Sequence, residues 1–160
     1  MMMGGSLGAQ KVNEALRGAL PRLLEKMDVV HITGKGNLDE SLQTLSGYKQ
    51  FEFISQELPS VFACADYVLS RAGSNALCEF QALKKPMLLV PYPKGASRGD
   101  QILNAESYRA RGLAHVLLQE DMTEDTLDFT TLDQRTEYSS AIQVWANGAL
   151  VLTNKKKFGI

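Results

Sequence analysis

One hundred and sixty residues make one ordinary domain with room for a real core, and 44% of them are apolar, the usual share for a soluble globular chain. Lys and Arg number 17 against 18 Asp and Glu, a net charge of −1, which excludes the broad positive footprint of a nucleic-acid binder. No apolar run reaches the roughly 18 residues that span a bilayer, the amino terminus has neither region of a signal peptide, and Cys64 and Cys78 are too few for a disulfide framework or a four-cysteine zinc site.

So few cysteines suggest a reducing, cytoplasmic setting. Along the chain, Gly4-Gly5-Ser6-Leu7-Gly8 opens a helix expected over residues 9–27, where Val12, Leu16, Ala19, Leu20 and Leu23 form part of one apolar stripe. Pro21 should kink or restart that helix, because its ring removes a donor and crowds the preceding turn. Val29-Val30-His31-Ile32-Thr33 reads as a strand, ended by Gly34-Lys35-Gly36. Asn37 is expected to cap a short helix reaching Leu45, with Asp39 and Glu40 in its first turn.

The unit then recurs. Phe51-Glu52-Phe53-Ile54 reads as a strand followed by a helix over 58–65, and Tyr67-Val68-Leu69-Ser70 as a strand followed by a helix over 74–83. Met87-Leu88-Leu89-Val90-Pro91 is fully apolar, as a strand covered on both faces is, and is expected to lie at the sheet's centre. A loop of Pro, Gly and Ser leads to a helix over 100–110 and a strand over 114–118. Beyond Thr123 the pattern is helical to Ala146, and the lysine-rich end from Asn154 is expected to fray.

Alternating strands and helices imply an α/β fold: a three-layer, Rossmann-like, doubly wound parallel sheet, read as a single domain over residues 1–160. Only Met1 to Met3 precede the Gly-rich turn, so the chain is expected to begin inside its first strand, as if a larger protein were cut there.

In such a sheet, ligands gather beyond the carboxyl ends of the strands. Gly4 to Ala9 sit at one such end. Glycines there let the backbone approach a ligand, and the helix start offers unpaired N–H groups to an anion, with the Ser6 hydroxyl beside them. An ordinary turn capped by Ser6 uses the same residues. Ser70-Arg71-Ala72-Gly73-Ser74-Asn75 and Pro91-Tyr92-Pro93-Lys94-Gly95-Ala96-Ser97-Arg98-Gly99-Asp100-Gln101 put small residues at two more junctions. Glu79 follows Ser74 by five residues, about one and a half turns into the helix, where a carboxylate suits ribose hydroxyls better than phosphate. A solvated helix-face charge is its bland alternative. Asp100 and Gln101 open the next helix and can bind sugar hydroxyls, against Asp100 as a plain N-cap.

Other chemistries fail on spacing. There is no G-x-G-x-x-G, and Gly34-Lys35-Gly36 lacks the Ser or Thr of a P-loop. His31 and His115 fall in strands without partners at metal-ligand spacing, which leaves no metal site and no Ser-His-Asp triad. Cys64 and Cys78 are expected to be small buried hydrophobes on helix faces.

Taken in order, Gly4-Gly5-Ser6-Leu7-Gly8-Ala9, Glu52-Phe53-Ile54, Ser70-Arg71-Ala72-Gly73-Ser74 through Glu79, and Ala96-Ser97-Arg98-Gly99-Asp100-Gln101-Ile102-Leu103-Asn104-Ala105 resemble the donor-binding half of the MurG family. Members of that family are UDP-N-acetylglucosamine (UDP-GlcNAc) transferases of peptidoglycan synthesis with the two-domain GT-B fold. The resemblance runs from Gly4 to about Leu118. It implies that Gly5 and Ser6 contact the diphosphate and that Ile54 holds the uracil through its backbone. It implies that Gly73, Ser74 and Asn75 receive the phosphates, that Glu79 binds ribose, and that Gln101, with Asp100, binds the transferred sugar.

The resemblance further implies an inverting glycosyltransferase with no cofactor and no metal, in which helix dipoles and amides stabilise the departing UDP. Its acceptor would be lipid-linked undecaprenyl-diphosphate-MurNAc-pentapeptide (lipid I), held by an amino-terminal domain that also supplies the general base and is absent here. No catalytic residue is therefore expected in this chain. The whole protein would lie peripherally on the cytoplasmic face of the cell membrane and serve cell-wall biogenesis. Two alternatives stay open: a natural half-subunit needing a partner chain, as in the dolichol-pathway UDP-GlcNAc transferase, and a fragment of a UDP-GlcNAc 2-epimerase, whose additional acid and His positions are not found.

Overall fold

The computed structural model describes residues 1–5, 9–95, 99–123 and 126–127. Within them β1 (Met2–Met3), β2 (Val29–Ile32), β3 (Tyr48–Phe51), β4 (Val68–Ser70), β5 (Met87–Leu89) and β6 (His115–Val116) form one sheet, in the order β3-β2-β1-β4-β5-β6. Every neighbouring pair is parallel; Met2 faces His31 on one side and Leu69 on the other. Helices α1 (Gln10–Leu23), α2 (Leu58–Cys64), α3 (Ser74–Ala82) and α4 (Asp100–Ala110) supply the crossovers.

Successive strand side chains point to opposite faces, and this alternation makes two cores. Met2, Val29, Tyr48 and Leu88 pack with Val12, Leu16, Leu20 and Leu23 of α1. Val68, Met87 and Leu89 pack on the other face with Phe62 of α2, Leu77 and Phe80 of α3, and Ala105 of α4. The result is the three-layer, doubly wound α/β fold that the sequence implies. Strand order reverses between β1 and β4, and that switch point opens a crevice beyond the carboxyl ends.

The α1 face also buries a polar chain. His31 is wholly buried, with Nε2 3.0 Å from Asn13 Oδ1 and Nδ1 2.7 Å from the Tyr48 hydroxyl. Asn13 Nδ2 donates to the Thr33 carbonyl, so its Oδ1 accepts, the proton sits on Nε2, and Tyr48 donates to Nδ1. Burial first, then the Arg17 charge, lowers the His31 pKa from 6.5 to about 3. A neutral, fully engaged imidazole in the core is structural, in line with its position in a strand.

Several local expectations are corrected. β5 is an interior strand, but β1 and β4 hold the centre; continuous apolarity reports cover on both faces, which every interior strand receives. β3 ends at Phe51 instead of spanning Phe51 to Ile54, because the ladder with β2 stops at the Ile32–Phe51 pair and Thr33 N–H closes on the Phe51 carbonyl. In place of a helix capped by Asn37 there is a short 3₁₀ helix, Glu40–Leu42, capped by Asp39, which accepts from Ser41 N–H at 3.1 Å. α1 passes through Pro21 and stops at Leu23 without restarting, since a proline in the last turn forfeits little of the ladder.

β6 is shorter than expected. Asp100 is not an N-cap; Gly99 takes that place at a left-handed φ of +81°, and Asp100 is the first helical residue. Cys64 and Cys78 are both exposed free thiols, because Phe62, Leu77 and Phe80 occupy the inward faces of their helices. The helical reading from Thr123 to Ala146 falls almost wholly outside the described residues. Among those described, no helix is long and apolar enough to cross a membrane.

Candidate functional site

Three helix starts meet the carboxyl edge of the three adjacent strands β1, β4 and β5, and among the described residues no side chain caps any of them. β1 runs into buried Gly4 and then Gly5, whose φ of +89° is a conformation that glycine adopts without strain. α1 begins five residues on at Gln10, with Ala9 as its N-cap; Ser6 lies outside the described residues. α3 begins directly after Gly73, and its first ladder bond, from Leu77 N–H to the Gly73 carbonyl, is 3.0 Å long. The amides of Ser74, Asn75 and Ala76 thus have no acceptor among the described residues. A Cβ on Gly73 would meet nothing within 4 Å, so the space before these amides is open. α4 starts at Asp100 in the same way. Unpaired amides and the positive end of a helix dipole together favour an anion.

Around these starts the polar side chains are available. Ser74, Asn75, Glu79 and Asp100 are all exposed, and none has a side-chain hydrogen bond or ion pair among the described residues. Ile54, just past β3, is different. Its side chain is buried, while its own N–H and carbonyl have no partner among the described residues, an arrangement that anchors the residue and offers its backbone. Phe53 beside it is 74% exposed. The structure therefore brings Gly5, Gly73, Ser74, Asn75, Asp100 and Gln101 to the crevice edge, with Ile54 on the loop after β3 and Glu79 on the exposed side of α3.

Among the expected site side chains that are described, Gln101 alone has a partner among the described residues: its Oε1 accepts from Tyr92 N–H at 3.3 Å. Residues to which the sequence reading gave no role hold this region together. Arg71, buried at the exit of β4, donates to the carbonyls of Val90 and Pro91 and to Gln119, and lies over the Tyr92 ring. Burial pulls its guanidinium below the ordinary range, with Tyr92 opposing that. Asn104 Nδ2 donates to the Ala72 carbonyl at 3.1 Å, tying α4 to the turn before α3. An arginine directly after a strand, ahead of the small residues Ala72 and Gly73, was the available signal.

Chemically, this edge can hold an anion against amides, a polyol against carboxylates and an amide, and a planar ring against a backbone strip. No group of three or more His, Cys, Asp or Glu among the described residues is placed to hold a metal ion.

Comparison with known proteins agrees with this geometry. Residues 1–151 match the glycosyltransferase family 28 C-terminal domain. Over 126 residues, 79% of this chain and 36% of the relative, the sequence is 60% identical to a Bacillus thuringiensis (strain Al Hakam) protein named UDP-N-acetylglucosamine–N-acetylmuramyl-(pentapeptide) pyrophosphoryl-undecaprenol N-acetylglucosamine transferase 3. A Clostridium botulinum protein bearing the same transferase name without the final numeral is 48% identical over 147 residues, 92% of this chain and 41% of that one. The crystal structure of MurG from Acinetobacter baumannii superposes with a TM-score of 0.74 at 28% identity, covering 89% of this chain and 42% of that chain. The chain thus spans about two fifths of the proteins it matches. Sequence, fold and the placement of the helix starts lead to one family: the chain belongs to the glycosyltransferase family 28 C-terminal domain.

Proposed function

We propose that this domain binds UDP-GlcNAc and, joined to an acceptor-binding domain, forms a GT-B glycosyltransferase that moves GlcNAc onto lipid I to give lipid II. The observation that carries the reading is the uncapped start of α3 facing open space at the switch point, with Glu79 farther along the same helix. The names of the relatives, and the resemblance of the site motifs to theirs, supply the donor and acceptor.

In this reading the amides of Ser74 to Ala76 and the Gly5-Ser6 turn take the diphosphate. The Ile54 backbone pairs with the uracil edge, Glu79 accepts from the ribose hydroxyls, and Gln101 and Asp100 bind the GlcNAc hydroxyls. When the glycosidic bond to UDP breaks, negative charge grows on the leaving diphosphate. Preoriented amides stabilise that charge without having to reorganise. The acceptor hydroxyl attacks the anomeric carbon from the opposite side, and its proton goes to a base on the other domain. The whole protein works at the cytoplasmic face of the membrane, where its lipid-linked acceptor lies.

Calorimetric titration of the chain with UDP-GlcNAc in a buffer containing a chelator tests the reading, with ADP-glucose as the control. Saturable binding of UDP-GlcNAc alone is the expected result. Absence of binding, or equal binding of both nucleotides, refutes it.

A further inference from the structure

Arg71 turns across the end of β5. Its Nη1 donates to the Val90 carbonyl at 3.0 Å and to the Pro91 carbonyl at 3.2 Å, and Nη2 donates to Gln119 Oε1 at 2.6 Å. The guanidinium carbon stands 4.1 Å from the centroid of the Tyr92 ring. One side chain therefore fixes both the backbone and the ring of the turn after β5. The next link is the Tyr92 amide, which donates to Gln101 Oε1. That bond fixes which end of the amide faces the turn, and the Nε2 hydrogens, with no acceptor among the described residues, are the donors it leaves for a ligand. Gln101 is thus held with its Nε2 hydrogens available to donate, and an oxygen lone pair is the acceptor they suit.

We propose that Arg71 is the positioning residue of the sugar subsite: it holds Pro91 and Tyr92 so that the Tyr92 amide fixes Gln101 as a hydrogen-bond donor toward a sugar oxygen. The identity of the ligand rests on the donor-binding reading above; the grip on Gln101 does not. A planar guanidinium suits the task because it reaches several acceptors in one plane and stacks on an aromatic face, whereas an ammonium is a compact point charge.

The test uses the full 160-residue chain and two variants, Arg71→Lys and Gln119→Ala. Gln119→Ala removes one acceptor from the guanidinium without touching the core, and guards against misfolding of the first variant. Amide hydrogen exchange without nucleotide should be about tenfold faster at Tyr92 in Arg71→Lys, and faster by a smaller factor in Gln119→Ala, while Leu69 and Leu89 keep their rates. Titration should show UDP-GlcNAc binding weakened about tenfold in Arg71→Lys and UDP binding unchanged, since UDP uses α3.

Unchanged exchange at Tyr92 in both variants overturns the grip, whatever the nucleotides do. Faster exchange with UDP and UDP-GlcNAc weakened equally overturns the positioning role and makes Arg71 a general structural tie. Failure of the unaltered chain to bind either nucleotide overturns the donor reading and the sugar assignment with it, and faster Tyr92 exchange in that case still upholds the grip on Gln101.

Discussion

Lowering the pH from 7.5 to 5.0 should remove about 2 kcal/mol of folding free energy through His31 alone. The folded protein holds this imidazole neutral down to about pH 3, whereas its ordinary pKa is 6.5. Between those values the unfolded chain binds a proton that the folded chain does not, so stability rises with pH across the window. It is complete above 6.5 and lost progressively below it. The loss is about 1.4 kcal/mol per pH unit, and pH 5.0 lies one and a half units below the ordinary value. The cause is local: Nε2 already donates to Asn13, Nδ1 accepts from Tyr48, and Arg17 makes any added charge costlier. Urea denaturation of the chain and of His31→Gln at both pH values is the assay. Other groups titrate alike in the two proteins, so the difference between their losses isolates His31 and should be about 2 kcal/mol. Equal losses, or a His31 ring resonance that titrates near pH 6.5 in the folded chain, would refute the reasoning.

Glu79→Ala should weaken UDP-GlcNAc binding by about 1–3 kcal/mol in calorimetry with no change in the melting temperature; equal affinities would return Glu79 to a helix-face charge. Gly73→Val should fold normally, because φ −73° and ψ 135° admit any residue, yet abolish nucleotide binding by filling the space before the α3 amides. Asn104→Leu leaves the Ala72 carbonyl without its donor and should cost about 1–3 kcal/mol in urea unfolding. Incubated with UDP-GlcNAc and a lipid I analogue, the chain alone should give no product, since correct placement of the acceptor accounts for up to ~7–11 kcal/mol of barrier lowering. Adding the amino-terminal part of a matched relative, which this chain does not cover, should give turnover.

The strand and helix sequence of this fold was legible because its signals are local. Glycines follow β1, β2 and β4 within three residues, apolar stripes mark α1 and α3, and the β-branched or apolar runs of β2 and β5 are short and bounded. β3 was misplaced because Phe51 to Ile54 are individually good strand residues, while the extent of a strand is set by its partner, and β2 ends opposite Phe51. Cys64 and Cys78 were misread for a related reason. A small apolar side chain fits either face of a helix, and the face is decided by the larger Phe62 and Phe80. At the candidate site, Gly73 and Glu79 stood out through position within one junction. Arg71 and Asn104 did not, because their partners Val90, Gln119 and Ala72 lie 19, 48 and 32 residues away and are joined only by the fold.

Titrating UDP-GlcNAc into the isotope-labelled chain while following every backbone amide reads the crevice itself. The amides of Gly73, Ser74, Asn75 and Ile54 should shift in a saturable way, with those of Tyr92 and Gln101 following only when the sugar is present. Amides of β2 around His31, within the α1-side core, should stay still. Shifts confined to β2 and α2, or none at any of these positions, would contradict a donor site at the ends of β1, β4 and β5.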